Sequence, residues 1–335
     1  MQEYTSGRDY GRSTGYQASN VAPVRIVIPD DYQRAVAELD CFQALADHDV
    51  TIYSDTVKDV STLGERFRDA EALVLIRERT RITAALLAAL PDLRLIAQTG
   101  RGTAHIDLEA CASRGIVMST GDGSPVAPAE LTFGLILAAV RHIPRESAAL
   151  RAGTWQSTIG SDLRGKTLGI CGFGAVGSLV AGYGRAFGMR VLVWGHETSL
   201  VRATAEGFET AGFRELFAES DVASLHLKLT LETSACVTPS VLASMKPTAL
   251  LVNTARAGLI EPGALSAALA AGRPGFAAVD VFDDEPVLGA TDPLVTAPNA
   301  LCTPHIGYVT HEAYELYFGQ AFAQVNAFAS RSVGR

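Results

Sequence analysis

The ten residues Leu168-Gly169-Ile170-Cys171-Gly172-Phe173-Gly174-Ala175-Val176-Gly177 constrain this chain more than any other stretch. They set Gly172, Gly174 and Gly177 in a GxGxxG spacing, directly after an apolar run of strand character and directly before a run of helical spacing, Ala175 to Phe187. In a strand-turn-helix each glycine has its own role. Gly172 permits the tight turn, Gly174 lets backbone approach a pyrophosphate, and Gly177 lets the helix lie close on the strand. The helix start adds unpaired N–H groups and the positive end of its dipole. Gly172, Phe173, Gly174, Ala175, Val176 and Gly177 are therefore candidates for holding a dinucleotide; a glycine-rich turn between packed elements is the alternative.

The fingerprint expects an acidic residue about 20 positions on, at the end of the next strand, to bond a ribose. That strand is Val191 to Trp194, and Gly195 follows it. Without the acid nothing repels a 2′-phosphate, and His196 and Arg202 could attract one. Glu197 could instead serve as a displaced ribose ligand. NAD is the expected cofactor, with NADP left open.

Strand-like runs recur before the fingerprint (Val24 to Ile28, Val50 to Tyr53, Ala72 to Ile76, Leu93 to Ala97, Gly115 to Met118). They recur after it as well (Val222 to Leu225, Ala249 to Asn253, Phe276 to Val281). Helical spacing lies between them, as in Ala35 to Ala46, Ala127 to Leu150, Pro262 to Ala271 and Thr310 to Ser330. Alternation of this kind predicts an α/β fold with parallel sheets covered on both faces. Residues 1 to 22 have neither period and read as a flexible arm. A length of 335 residues suits two domains, and 48% hydrophobic residues supply their cores. The net charge of −8 argues against a nucleic-acid partner. The longest apolar run, Leu131 to Val140, is about half a membrane span, so no membrane partner is expected. Cys41, Cys111, Cys171, Cys236 and Cys302 lie at least 60 residues apart, which suits scattered thiols of a cytoplasmic protein rather than disulfides or a metal site.

Three further residues stand at or beyond late strand ends, where open α/β sheets place their sites. Arg256 follows Asn253-Thr254-Ala255, Glu285 precedes Pro286, and His305 lies in Thr303-Pro304-His305-Ile306-Gly307. Singly they read as a surface ion pair, a turn residue and a structural histidine. Together they suit one chemistry. A guanidinium can grip a 2-keto acid and polarise its carbonyl, an imidazole can pass a proton, and a carboxylate can stabilise the imidazolium.

These motifs, with Asp280-Val281-Phe282 and the stretch Leu93 to Asp107, resemble the D-isomer-specific 2-hydroxyacid dehydrogenase family from about Val24 to about Phe328. Ile76-Arg77-Glu78-Arg79-Thr80 resembles the Arg-Ser-x-Thr segment of phosphoglycerate dehydrogenases. The resemblance implies two Rossmann-like domains, with residues 126–300 as a dinucleotide-binding domain inserted into a discontinuous substrate domain, 23–125 and 301–335, and a catalytic cleft between the two. It implies that Arg256 binds the substrate carboxylate and carbonyl, that His305 is the acid/base and that Glu285 is its partner. Gly100, Arg101 and Gly102 would hold the substrate carboxylate, and Asp280 would sit near the nicotinamide. Gly195, His196, Thr254 and Ala255 would line the cofactor. It further implies a small 2-hydroxy or 2-keto acid substrate, a homodimer, and no C-terminal regulatory domain. Some relatives are dinucleotide-sensing corepressors of the same fold, which is the second reading of the same motifs. Departures from the family pattern are Gly195 in place of the acid and Lys228 where the family commonly has Pro.

Overall fold

The computed structural model describes residues 22–332, so the arm expected over residues 1–22 lies, except for Ala22, outside the described residues. The described residues divide into two compact units, one of residues 22–122 and 317–332, the other of residues 123–316.

In the first unit β1 (Arg25–Ile28), β2 (Asp49–Ile52), β3 (Ala72–Leu75), β4 (Leu95–Gln98) and β5 (Val117–Thr120) form a parallel sheet in the order β2-β1-β3-β4-β5. β3 and β4 are buried at every position, as expected of strands covered on both faces. The order reverses between β1 and β3. Asp30 and Arg77–Arg79 follow these two strands, and Arg79 Nη1 donates to the Asp30 carbonyl at 2.6 Å. Residues 35–46 differ from the expected helix: they form two 3₁₀ turns separated by an extended Leu39. Their buried residues Val36, Leu39 and Leu45 recur in multiples of three, the 3₁₀ repeat, rather than at helical spacing. The C-terminal helix His311–Ser332 packs here through Phe318 and Phe322, with Phe322 edge-on to Phe42 at 6.0 Å.

The second unit holds β6 (Thr167–Cys171), β7 (Arg190–Trp194), β8 (Glu209–Thr210), β9 (Val222–Leu225), β10 (Leu250–Asn253), β11 (Phe276–Val279) and β12 (Ala300–Cys302). They make a parallel sheet in the order β12-β11-β10-β9-β6-β7-β8. The order reverses between β6 and β9, so the loops after these strands diverge at the carboxyl edge, where α/β sheets place ligands. The boundaries differ from those expected. Residues 301–316 belong to the second unit, because β12 pairs with β11.

The single helix expected over Ala127 to Leu150 is two helices, Val126–Val140 and Ile143–Arg151, bent by 58°. Pro144 lacks an N–H and its ring would strike the Val140 carbonyl, so the first helix ends there. His142 adopts φ +52° at the break, and the released Val140 carbonyl accepts from Ser161 N at 2.9 Å. Among the described residues no single helix is long and apolar enough to cross a membrane.

Candidate active site

The glycine loop leaves β6 through Gly172 at φ +104°, a region glycine enters without strain. A Cβ there would lie 2.8 Å from the His226 carbonyl at the end of β9, and one on Gly177 would strike the Gly172 carbonyl. Gly174 differs, since among the described residues nothing beyond its own chain neighbours lies within 4 Å of where its Cβ would stand. The loop is anchored from below by Phe173, 1% exposed and edge-on to Phe208 at 5.6 Å. Burying such a ring contributes roughly 1.5–3 kcal/mol. Above this anchor the N–H groups of Phe173, Gly174, Ala175 and Val176 meet no acceptor among the described residues. Four free donors at a helix start, beside an open Gly174, fit a dinucleotide pyrophosphate.

At the end of β7, Gly195 lies against this loop, its Cβ direction 3.6 Å from Phe173 N, while His196 and Glu197 are exposed. Arg202 is engaged within the fold. Its guanidinium lies 5.0 Å over the Phe173 ring, donates to the Phe173 carbonyl and pairs with Glu206 at 3.7 Å. Lys228 is exposed, and its carbonyl accepts from Thr233 Oγ1 at 2.6 Å.

His226 is a neighbour of the loop that no sequence motif singles out. Its ring meets Ser224 Oγ at 2.9 Å, and burial pushes its imidazole from 6.5 down to about 4. Burial likewise lowers His105 in the first unit to about 4. Since the folded value lies below the unfolded one, protons favour the unfolded chain. The stability these residues contribute is whole above about pH 6.5 and is lost as pH falls towards 4. Calorimetry across that window should show Tm falling by about 3–6 °C from His226 alone, after discounting the full shift for relaxation, and less in His226→Gln.

The residues expected to do chemistry stand at the carboxyl edge of the same sheet. At the end of β10, buried Asn253 shapes the turn: its Nδ2 donates to the Arg256 carbonyl at 2.9 Å and its Oδ1 accepts from Ala255 N at 3.1 Å. Arg256 is half-buried, with Nη1 donating to the Ala255 carbonyl at 2.7 Å. Thr254 Oγ1 lies 2.6 Å from Thr132 Oγ1 on the helix Val126–Val140.

His305 is held from three directions. Its Nδ1 stands 2.6 Å from Glu285 Oε2, Tyr308 meets its ring edge-on at 5.4 Å, and its backbone takes the left-handed region at φ +51°. Glu285 Oε1 in turn accepts from Phe282 N at 2.9 Å, fixing the carboxylate to the chain just after β11. His305 Nε2 makes no hydrogen bond among the described residues. The left-handed turn is secured by Asp280, 0% exposed. One of its oxygens accepts from Thr303 Oγ1 at 2.6 Å and Ile306 N at 2.8 Å, the other from Gly307 N at 2.8 Å. Burial pushes the Asp280 carboxyl above its usual range against the pull of these donors. Expected near a nicotinamide, Asp280 is engaged here in holding the loop that carries His305. Thr303 is a further member of this anchor, and in the sequence only its place before Pro304-His305 hints at it.

In the first unit, Gly100, Arg101 and Gly102 follow β4 after Thr99. Gly100 has φ +87°, and the N–H groups of all three residues find no acceptor among the described residues. Successive free donors of this kind make a concavity for an anion. The Arg101 side chain pairs with Asp122 at 2.5 Å, both largely exposed.

The model of the D-isomer specific 2-hydroxyacid dehydrogenase NAD binding domain matches residues 133–307, which include the glycine loop, Arg256, Glu285 and His305. The chain belongs to this family. A phosphoglycerate oxidoreductase from Vibrio cholerae O395 superposes with a TM-score of 0.90 at 49% identity, over 92% of this chain and 99% of that one. A D-lactate dehydrogenase from Aquifex aeolicus, solved with NAD and lactic acid, gives 0.74 at 30% identity, over 92% and 96%. A D-3-phosphoglycerate dehydrogenase of Methanocaldococcus jannaschii is 39% identical over 255 residues, 74% of this chain but 48% of its own. The chain thus spans about half the length of that relative. A glyoxylate reductase of Aeropyrum pernix is 38% identical over 284 residues, 81% of this chain and 84% of that protein.

Proposed function

We propose that the chain is an NAD-dependent D-2-hydroxyacid dehydrogenase, moving hydride between nicotinamide C4 and C2 of a small 2-hydroxy or 2-keto acid. The observation that carries this reading is the 2.6 Å contact of Glu285 with His305 Nδ1, which leaves Nε2 open at the carboxyl edge of the sheet that bears the glycine loop. The bound dinucleotide supplies the hydride. His305 Nε2 gives a proton to the carbonyl oxygen as C2 is reduced, and takes it back in the oxidation. Glu285 keeps Nδ1 as the donor towards itself and balances the charge on the ring. Arg256 polarises the carbonyl and pairs with the acid, and the N–H groups of Gly100, Arg101 and Gly102 take the carboxylate. Gly172 to Gly177 hold the pyrophosphate, and Gly195, His196, Thr254, Ala255 and Asp280 complete the cofactor's surroundings or support them. Turnover of a panel of 2-keto acids, with NADH and NADPH side by side, tests the reading. Steady oxidation of NADH is expected with at least one short acid; tight binding of NADH with no turnover anywhere would fit a sensor and sink the proposal.

We also propose that the partner is a second copy of the chain. Trp155 is 76% exposed and Ile159 94% exposed, in a segment that begins with exposed Ile143 and Leu150. A solvated run of this kind calls for a partner surface, and a twofold pair is the commonest way for identical chains to supply one. Trp155→Glu combined with Ile159→Glu should convert a dimer to a monomer in sedimentation; a wild-type chain that already sediments as a monomer would refute the pairing.

A further inference from the structure

We infer that the dinucleotide site is not restricted to NAD: at the place where an acid would reject a 2′-phosphate the chain leaves room for one, and it takes NADP(H) alongside NAD(H). The inference rests on the dehydrogenase reading above and names its cofactor class. The deciding position is Gly195, between β7 and the helix Glu197–Ala205. Neither backbone nor space requires a glycine there. Its φ lies outside the left-handed region, and a Cβ would meet Ser199 Cβ at 3.4 Å and Phe173 N at 3.6 Å, ordinary van der Waals distances. An aspartate could therefore stand at 195, pointing at the glycine loop, where its charge would choose a ribose 2′-hydroxyl over a 2′-phosphate. Glycine leaves the space open and that repulsion absent.

The charges around this opening favour an anion. The order β9-β6-β7 puts the loops after β7 and β9 on either side of the glycine loop. On the β9 side a Cβ on Gly172 would lie 2.8 Å from the His226 carbonyl and 3.0 Å from Leu227 Cδ2, so this segment touches the glycine loop. Lys228 follows directly, exposed, and its ammonium meets no acceptor among the described residues. Two strand spacings are about 10 Å, roughly one Debye length, so its charge is felt on the β7 side. On that side Arg202 donates to the Phe173 carbonyl and lies 5.0 Å over the Phe173 ring. A carbonyl and a ring leave its positive charge in place, and its exposed pairing with Glu206 at 3.7 Å is a weak one. Arg202 acts here through its field rather than through a contact. The opposing carboxylate is Glu197, exposed in the first turn of the helix, where solvent screens it. The two departures from the family pattern, an acid lost at Gly195 and a lysine gained at Lys228, shift the local charge in the same direction.

The test is read first as binding, by isothermal titration calorimetry of the full chain. It compares NADP+ with NAD+, and 2′,5′-ADP with 5′-AMP, a pair differing by the 2′-phosphate alone. The wild type should bind NADP+ within about tenfold of NAD+, and 2′,5′-ADP at least about threefold tighter than 5′-AMP, an advantage that shrinks as salt is raised. Gly195→Asp should weaken NADP+ and 2′,5′-ADP by at least about tenfold and tighten NAD+ by about threefold. Gly195→Ser adds a side chain without a charge and should move the NADP+ to NAD+ ratio by less than about threefold. Lys228→Ala should weaken 2′,5′-ADP about threefold more than 5′-AMP. In turnover, kcat/KM for NADPH relative to NADH should follow the binding ratio in the wild type and in G195D. A wild type that binds NADP+ more than about tenfold more weakly than NAD+, or a ratio indifferent to charge at position 195, overturns the inference and leaves the dehydrogenase reading intact. A chain that binds neither dinucleotide overturns both.

Discussion

His305→Ala should lower kcat for keto-acid reduction by about 10²–10⁴-fold, the range expected when a positioned general acid is removed. Binding of NADH should change little, because the free N–H groups of Phe173 to Val176 belong to another loop of the sheet. The geometry explains why the loss should be large. Nδ1 is taken by Glu285, so the ring can present only Nε2 for proton transfer. His305→Gln would keep a donor but could not shuttle a proton, and should be nearly as slow as the alanine variant. Single-turnover kinetics with NADH in the enzyme's active site separates the chemical step from cofactor binding. A loss below tenfold at the chemical step would remove His305 from the role assigned to it. Because reduction consumes a proton and oxidation releases one, the reduction rate should fall, and the oxidation rate rise, with increasing pH in the wild type. His305→Ala should flatten both profiles.

Asp280→Ala should be the most destabilising single change near this site, by about 3–5 kcal/mol, the range for removing one partner of a buried charged network. The carboxylate is fully buried and accepts from Thr303 Oγ1, Ile306 N and Gly307 N, so truncation strands three donors away from water. It also releases the left-handed turn at His305. The catalytic defect should therefore appear as a lower kcat even where the variant remains folded. Asp280→Asn distinguishes the two effects. It keeps the volume but turns an NH₂ towards N–H donors, so it should recover part of the stability and little of the turn geometry. Urea melts of the three proteins, with kcat measured well below each midpoint, check the order; an Asp280→Ala variant as stable as wild type would remove the carboxylate from its place as anchor.

Much of this site is legible in the chain because its elements are local. Strand, glycine turn and helix are contiguous from Thr167 to Ala186, and each glycine acts within a few residues of itself. The parallel strands are legible for the same reason, since short runs such as Ala72–Leu75 are apolar throughout. What escapes depends on distant partners or on a single dihedral. Asp280 looks in the sequence like any acid after a strand, and its donors lie more than twenty residues away. Residues 35–46 have enough apolar side chains for a helix, and only the spacing of the buried ones reveals 3₁₀ turns. The bend at His142 is half visible in Pro144, whereas the Ser161 N–H that satisfies the freed carbonyl is not. Arg202 reads as a possible phosphate contact because sequence does not show a cation lying on Phe173.

All the described hydrogen bonds that orient His305 and Glu285 arise within residues 123–316, whereas the loop Gly100 to Gly102 belongs to the other unit. On the proposed reading, proton transfer and carboxylate binding are therefore written in separate stretches of the sequence. Recombination that exchanges the flanking segments while keeping the insert whole should carry a working proton relay into a new specificity, and selection could retune the one without disturbing the other.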